Sequence, residues 1–266
     1  MITPLAFEPH RFRSAAAHYL PGRPAYAAGL IARVAERLRL GSADRVLDLG
    51  CGPGPLAVAF APFAGAVVAI DPEPEMLYAA SQAAAAAKVT IEFVQGSSYD
   101  LGPQLGRFRL VTIGRAFHWM DRVDTLRRLD GIVEPDGGIA LFEDRHLRVP
   151  ENRWEGGYDK LIDSYAESHA GLAHAKSDDW VRHEAVLLDS PFAQLERIGV
   201  IERRRTPVER FVDRAFSRSS TAPERLGPRA ADLARDIRAL FADVATDGLV
   251  TEVIESEALI ATRPHP

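Results

Sequence analysis

The sequence predicts an α/β fold, a doubly wound and mostly parallel seven-stranded sheet with helical additions. Three observations carry this prediction. Short apolar runs alternate with amphipathic stretches of helical period over about a hundred residues. The first run ends in a glycine-rich turn that opens a helix. Past Pro150 the rhythm changes to longer amphipathic stretches and two long strand-like runs.

Each element follows from local pattern. Leu30, Ile31, Val34 and Leu38 recur at helical spacing between Ala25 and Leu40, and Gly41 supplies a stop. Arg45 to Leu49 reads as a buried strand. Pro55 suits the first turn of the next helix, which carries Leu56, Val58 and Phe60, because its missing N–H costs nothing there. Ala66 to Ile70 is too short for a helix and fits a central parallel strand, which Pro72 to Pro74 ends. A helix follows through Met76, Leu77 and the alanines from 83 to 87, whose helix propensity is high. Val89 to Gln95 and Phe108 to Ile113 give the third and fourth strands. Asp121 is an N-cap for a helix ending near Asp130, and Gly137-Gly138 leads into a fifth strand, Ile139 to Glu143.

Residues 151 to 189 read as helical, with Trp154, Tyr158, Leu161, Ile162 and Tyr165 on one side, more in keeping with packing than with a substrate cage. Phe192 to Arg205 is a long sixth strand with Arg203, Arg204 and Arg205 at its solvated end. Helices fill 207 to 245, and Leu249 to Ala261 closes the sheet. No repeat or long linker divides the chain. The expected organisation is one domain over 1–266. Its core lies at about 25–145, 190–206 and 248–262, and its lid and substrate elements at about 1–24, 150–189 and 207–245.

The totals narrow the function classes. Of 266 residues, 47% are hydrophobic and 26% charged, ordinary values for a chain that buries a core. A net charge of -5 speaks against a large nucleic-acid footprint, which needs a basic face to release phosphate counterions. The one cysteine, Cys51, allows no internal disulfide and fits a reducing cytoplasm. The first twelve residues lack the apolar stretch of a signal peptide, and no apolar run is long enough for a bilayer. The expectation is a cytoplasmic protein without nucleic-acid or membrane partners; a homodimer stays open.

The most informative segment is Val46-Leu47-Asp48-Leu49-Gly50-Cys51-Gly52-Pro53-Gly54. Glycines at alternate positions let the backbone turn tightly and approach a ligand closely. Exposed N–H groups at the following helix start favour a negative group, such as an amino-acid carboxylate. The spacing is G-x-G-x-G rather than the G-x-G-x-x-G of dinucleotide folds, and an aspartate stands two residues before the first glycine. Asp71 ends the next strand, 21 residues after Gly50, where an acid can accept both ribose hydroxyls.

This segment and the order of elements around it resemble the class I S-adenosylmethionine (SAM)-dependent methyltransferase superfamily, which has a Rossmann-like sheet. The resemblance covers about 20–145 most strongly. It extends to the small-molecule branch of type 11 and trans-aconitate-like enzymes through three further segments. Tyr19-Leu20-Pro21-Gly22-Arg23-Pro24-Ala25-Tyr26 resembles a Tyr-x-x-x-Arg-Pro-x-Tyr lead-in. Ala116-Phe117-His118-Trp119-Met120-Asp121 resembles a His-Trp-aromatic-Asp stretch after the fourth strand, and Ser217 to Gly227 a late segment of relatives.

The resemblance implies SAM as cofactor and a small-molecule methyl acceptor. Gly50, Gly52 and Gly54 would line the methionine part. Asp48 would hold the loop and meet the amino group, Asp71 the ribose, and Arg23, with Tyr19, the cofactor carboxylate. Ser97 and Ser98 would face the adenine, although relatives often begin that pair with aspartate. Met76, Gly114 and Arg115 complete the cofactor set, and Tyr26, Phe117, Trp119 and Trp154 would line the acceptor. His118, after the fourth strand, is the candidate general base; a packed helix entry explains it as well.

Several acceptor chemistries lose ground. There is no Asn- or Asp-Pro-Pro-aromatic motif of DNA-adenine enzymes, Cys51 lies inside the glycine loop rather than after a proline, and Gly114-Arg115 stands where metal-dependent catechol enzymes carry clustered acids. No Cys/His cluster has zinc spacing, so no metal is expected. O-, N- or C-methylation of a small molecule remains, achieved mainly by positioning and desolvation. A SAM-binding sensor or scaffold of the same fold is the alternative, and a nicotinamide-dependent oxidoreductase a more distant one.

Overall fold

The computed structural model describes residues 16–166 and 180–264. The expected lid stretches over 1–15 and 167–179 lie outside them. Seven strands form one sheet in the order β3-β2-β1-β4-β5-β7-β6. The strands are β1 (Arg45–Leu49), β2 (Ala66–Asp71), β3 (Glu92–Gln95), β4 (Phe108–Gly114), β5 (Val133–His146), β6 (Gln194–Pro207) and β7 (Leu249–Thr262). Pairings from β3 through β5 are parallel, and β7 runs antiparallel to both β5 and β6. The order reverses direction between β1 and β4. In such sheets ligands bind at the carboxyl ends of the strands beside that switch.

Helices cover both faces. On one face α2 (Ala28–Arg37) and α3 (Pro55–Phe60) bury Leu30, Ile31, Val34, Leu56 and Phe60 against Val46, Val67, Leu110 and Phe142. On the other, α5 (Arg122–Asp130) and α7 (His183–Leu188) bury Leu126, Leu129 and Leu187 against Leu47, Val111, Ile139 and Phe192. Removing each such side chain from water contributes roughly 1.5–3 kcal/mol. Asp121 caps α5 by accepting the Asp124 N–H at 3.0 Å.

A third core stands above the carboxyl ends. It joins α6 (Glu155–Tyr165), α8 (Val208–Phe216) and α10 (Arg229–Phe241), with α9 (Pro223–Leu226) a short turn between the last two. Trp154, Tyr158, Phe211 and Phe241 meet there edge to face or tilted, with ring centres 4.5–6.1 Å apart. Against these helices lies α1 (Ala16–Gly22), whose His18 Nδ1 is 2.9 Å from Asp213 of α8.

Two elements differ from the sequence reading. The third strand starts at Glu92 rather than Val89. Lys88 adopts a left-handed conformation, and the Val89 N–H bonds back to Ala84, which uses those residues to close α4 (Pro74–Ala87). The fifth strand begins at Val133 and runs through Gly137-Gly138 to His146. The glycines mark a register shift against β4, and β7 pairs with the strand as far as His146.

Candidate active site

The glycine turn sits at the carboxyl end of β1, and Gly50, Gly52 and Gly54 all have positive φ, at 67°, 53° and 78°. A Cβ at Gly50 would stand 2.9 Å from Ala116 Cβ and 3.2 Å from Met120 Cε, so a neighbouring segment forbids a side chain. A Cβ at Gly52 would meet nothing within 4 Å. Glycine is required there by the backbone conformation, and its face is open to a ligand.

The amides of this turn are not bare, contrary to expectation. Gly50 and Cys51 N–H groups both donate to the Ile70 carbonyl, at 2.8 and 2.9 Å, and Gly54 N–H donates to Cys51. Gly52 N–H donates to Asp71 Oδ2 at 2.7 Å. A backbone folded this tightly satisfies its own donors, as buried peptides must. What the turn offers a ligand is peptide surface rather than free N–H groups.

Asp48 explains why no external anion is needed at α3. It is 1% exposed, its Oδ2 accepts the Ala57 N–H at 2.9 Å, and its Oδ1 accepts the Thr112 hydroxyl at 2.9 Å. The carboxyl group at this helix start is the protein's own, in place of the ligand carboxylate that the sequence favoured there. Burial pushes its pKa up to about 7, against the pull of those two hydrogen bonds. Asp48 thus holds the loop, with both oxygens engaged inside the protein.

Asp71 ends β2 beside the turn. Its two oxygens accept from Gly52 and, at 3.0 Å, from Glu73 N–H, and burial raises its pKa to about 6. A carboxylate tied to two backbone donors is fixed in orientation and keeps lone pairs for hydroxyl groups. Met76 is buried on α4, which starts just after Asp71. Ser97 and Ser98 follow β3. Ser97 caps a short turn, with its hydroxyl taken by Asp100 and Tyr99, and Ser98 is buried.

At the end of β4, Gly114 lies under Tyr26, whose hydroxyl is 2.7 Å from where a Cβ would be. Arg115 has a φ of 54° and directs its guanidinium to Asp144 of β5 and to the Pro24 carbonyl, 4.4 Å over the Tyr26 ring. It faces the lid strap rather than the glycine turn. Arg23 and Tyr19 stack beside it, 5.6 Å from guanidinium carbon to ring centre. Arg23 Nε is sealed from solvent without a hydrogen bond.

Other expected pocket residues separate. Phe117 is 2% exposed in the sheet core and packs on His183, and Trp154 is 5% exposed inside the aromatic core. Both are packing residues and not pocket wall, because apolar contact surrounds their rings. His118 and Trp119 are half-buried, with ring centres 4.6 Å apart.

Sequence reasoning missed Met120 and Ala116 against Gly50, Thr112 on Asp48, and Asp144 as the partner of Arg115. Met120 and Ala116 lie within the quoted stretch after β4, but nothing local told which of its residues turns back to the loop. The residues present fit a SAM-like group: an open peptide face at Gly52, a fixed carboxylate one strand over, and a sealed guanidinium nitrogen without a partner.

Comparison with known proteins agrees. A family described as "methyltransferase domain" matches residues 46–137. An uncharacterised methyltransferase of Mycobacterium tuberculosis is 27% identical over 230 residues, 86% of this chain and 85% of that protein. Demethylmenaquinone methyltransferase of Lactococcus lactis is 32% identical over 111 residues, 40% of this chain and 44% of that one. Among solved structures, a SAM-dependent methyltransferase from Thiobacillus denitrificans in complex with S-adenosyl-L-homocysteine (SAH) superposes with a TM-score of 0.55, at 16% identity, over 98% of this chain and 100% of that one. The sheet order, the strand-turn-helix-strand unit with its two aspartates and these similarities together support the class I SAM-dependent methyltransferase superfamily for this chain.

Proposed function

We propose that the chain methylates an O, N or C nucleophile of a small molecule, mainly by positioning the reactants and excluding water. The observation that carries this reading is the roof over the ends of β4 and β5. It is built from the chain's own α1 and α8, with Arg214 Nε donating to the Gly22 carbonyl at 3.1 Å and Tyr26 packed on Phe142. A site covered in this way favours a compact acceptor. The L. lactis relative is named for demethylmenaquinone, an acceptor that is neither a protein nor a nucleic acid.

The cofactor, when bound, supplies a methyl group on a positively charged sulfur that leaves readily. Alignment can then remove much of the barrier, about 7–11 kcal/mol in favourable cases. In this reading Asp71 accepts from the ribose hydroxyls, and Gly50, Gly52 and Gly54 let the backbone approach the amino-acid part. Ser98 and Met76 flank the adenine side, with Ser97 held by Asp100. Tyr26 and Trp119 border the acceptor, and the Arg115–Asp144 pair braces the strap that carries Tyr26. His118 takes a proton only from acceptors that must lose one.

The test is SAH release from SAM with cell extracts separated by size. Activity confined to the low-molecular-mass fraction is expected. Activity only with the protein or nucleic-acid fraction would overturn the small-molecule reading.

A further inference from the structure

A second concave site lies at the other end of the sheet. A cleft of about 880 Å³ opens between α2 and the amino ends of β4 and β5, within the roughly 300–1,000 Å³ of small-molecule sites. Arg109 is the second residue of β4, and Thr262, the last of β7, pairs with Gly138 near the start of β5. The glycine turn and Asp71 stand at the opposite, carboxyl ends of the strands. The cleft is therefore separate from the cofactor site.

Five guanidinium groups line it. Arg33 and Arg37 come from α2, Arg39 from just after it, Arg109 from β4 and Arg263 from the chain beyond β7, against two lining carboxylates, Glu36 and Asp136. Three of the five reach acids, Arg37 pairing with Glu196, Arg109 with Asp136 at 3.3 Å and Arg263 with Asp130 at 2.8 Å. Those three acids are exposed, and ion pairs of that kind hold their partners weakly. Arg33 and Arg39 have no hydrogen bond or ion pair among the described residues.

Arg39 is also an unusual choice for its backbone. Its φ is 52°, left-handed, just past a helix end where glycine is usual. The Leu38 carbonyl at that helix end is already met by Arg109 Nε at 3.0 Å. What an arginine adds at this position is its guanidinium. Guanidinium groups match phosphate oxygens as planar forks, and such charge-assisted pairs are strong. One phosphate can engage only part of a set spread over three elements, whereas linked phosphates can span it.

We propose that this cleft binds a small molecule carrying two or more linked phosphate groups. Such binding is independent of methyl transfer.

Calorimetric titration of the full chain with tripolyphosphate, and with orthophosphate at the same ionic strength, is the test. Tripolyphosphate binds saturably and at least tenfold more tightly than orthophosphate, and SAH does not displace it. Arg33→Gln combined with Arg39→Gln weakens it tenfold or more and leaves SAH affinity within twofold. Arg203→Gln combined with Arg205→Gln removes the same charge from β6 and leaves tripolyphosphate affinity within twofold. Arg39→Gly suits the left-handed backbone, so its melting curve is preserved while tripolyphosphate binding weakens threefold or more; it decides if the double variant fails to fold. Absence of saturable binding, displacement by SAH, equal weakening by the two double variants, or wild-type affinity in the Arg33 and Arg39 variants overturns the proposal. If the chain binds no SAH, the methyltransferase reading fails instead, and the tripolyphosphate titrations still read the cleft.

Discussion

Asp71→Asn probes the carboxylate on which the nucleoside assignment turns. In the wild type both oxygens accept backbone N–H groups, from Gly52 at 2.7 Å and Glu73 at 3.0 Å. Asparagine keeps the shape but replaces one acceptor by a donor, so one of those bonds becomes a donor facing a donor. A hydrogen bond to a charged group contributes about 1.5–3 kcal/mol, and the ribose would lose one such bond as well. An affinity loss of about 1.5–3 kcal/mol, roughly 10- to 150-fold, follows for SAH. Calorimetry with adenosine and 2′,3′-dideoxyadenosine separates direct contact from loop damage. The wild type prefers adenosine, and the variant loses that preference. A variant that binds both nucleosides more weakly but keeps the same preference would refute the ribose contact and leave Asp71 as a loop fastener.

Other consequences follow from the same geometry. Because burial raises the Asp71 pKa to about 6 and ribose binding needs the ionised form, SAH affinity should be level above about pH 7 and fall as pH drops below 6; a flat titration to pH 5 contradicts this. Asp48, raised to about 7 from 3.8, is protonated in the folded state while already ionised in the unfolded one, so its contribution to stability falls as pH rises from about 4 to 7, by about 4 kcal/mol at 1.36 per unit. Urea unfolding of the wild type and Asp48→Asn at pH 5 and pH 8 should show the wild type losing ground, and parallel profiles would count against it. Gly114→Ala puts a methyl group 2.7 Å from the Tyr26 hydroxyl and 2.8 Å from Leu56 Cδ1, and overpacking of this kind costs about 1–3 kcal/mol by thermal or urea unfolding. Glu252 is buried, yet His146, Arg214 and Thr206 outweigh that burial and hold its pKa near 2. Arg214→Met leaves Glu252 without its main counter-charge and should destabilise the chain by about 3–5 kcal/mol, with an unchanged unfolding midpoint as the contrary result.

Most of the parallel half of the fold was legible because β1, β2 and β4 are buried on both faces and read as apolar runs, as Ala66 to Ile70 does, whereas the edge strand β3 is only partly buried. The long hairpin of β6 and β7 was legible in position but less so in extent. The residues of β6 mostly alternate between partial burial and exposure, and only pairing with β7 defines where that strand ends. At the site, Asp48, Asp71 and the glycines were visible because their spacing is set by one strand-turn-helix unit. Arg115 was placed correctly along the chain but misread in direction. Its partners, Asp144 of the next strand and the Pro24 carbonyl, lie far along the chain, and no local pattern reveals them. Phe117 and Trp154 show a simpler ambiguity. An aromatic looks the same in sequence whether it faces a pocket or another side chain; Trp154 had also read as packing, and both rings pack inside the protein.

The most direct measurement is a crystal structure of the chain grown with SAH. The account predicts both ribose hydroxyls on Asp71 and the homocysteine chain across the open face of Gly52. A nucleoside bound elsewhere, or a turn filled by the protein's own side chains in the presence of SAH, would contradict it.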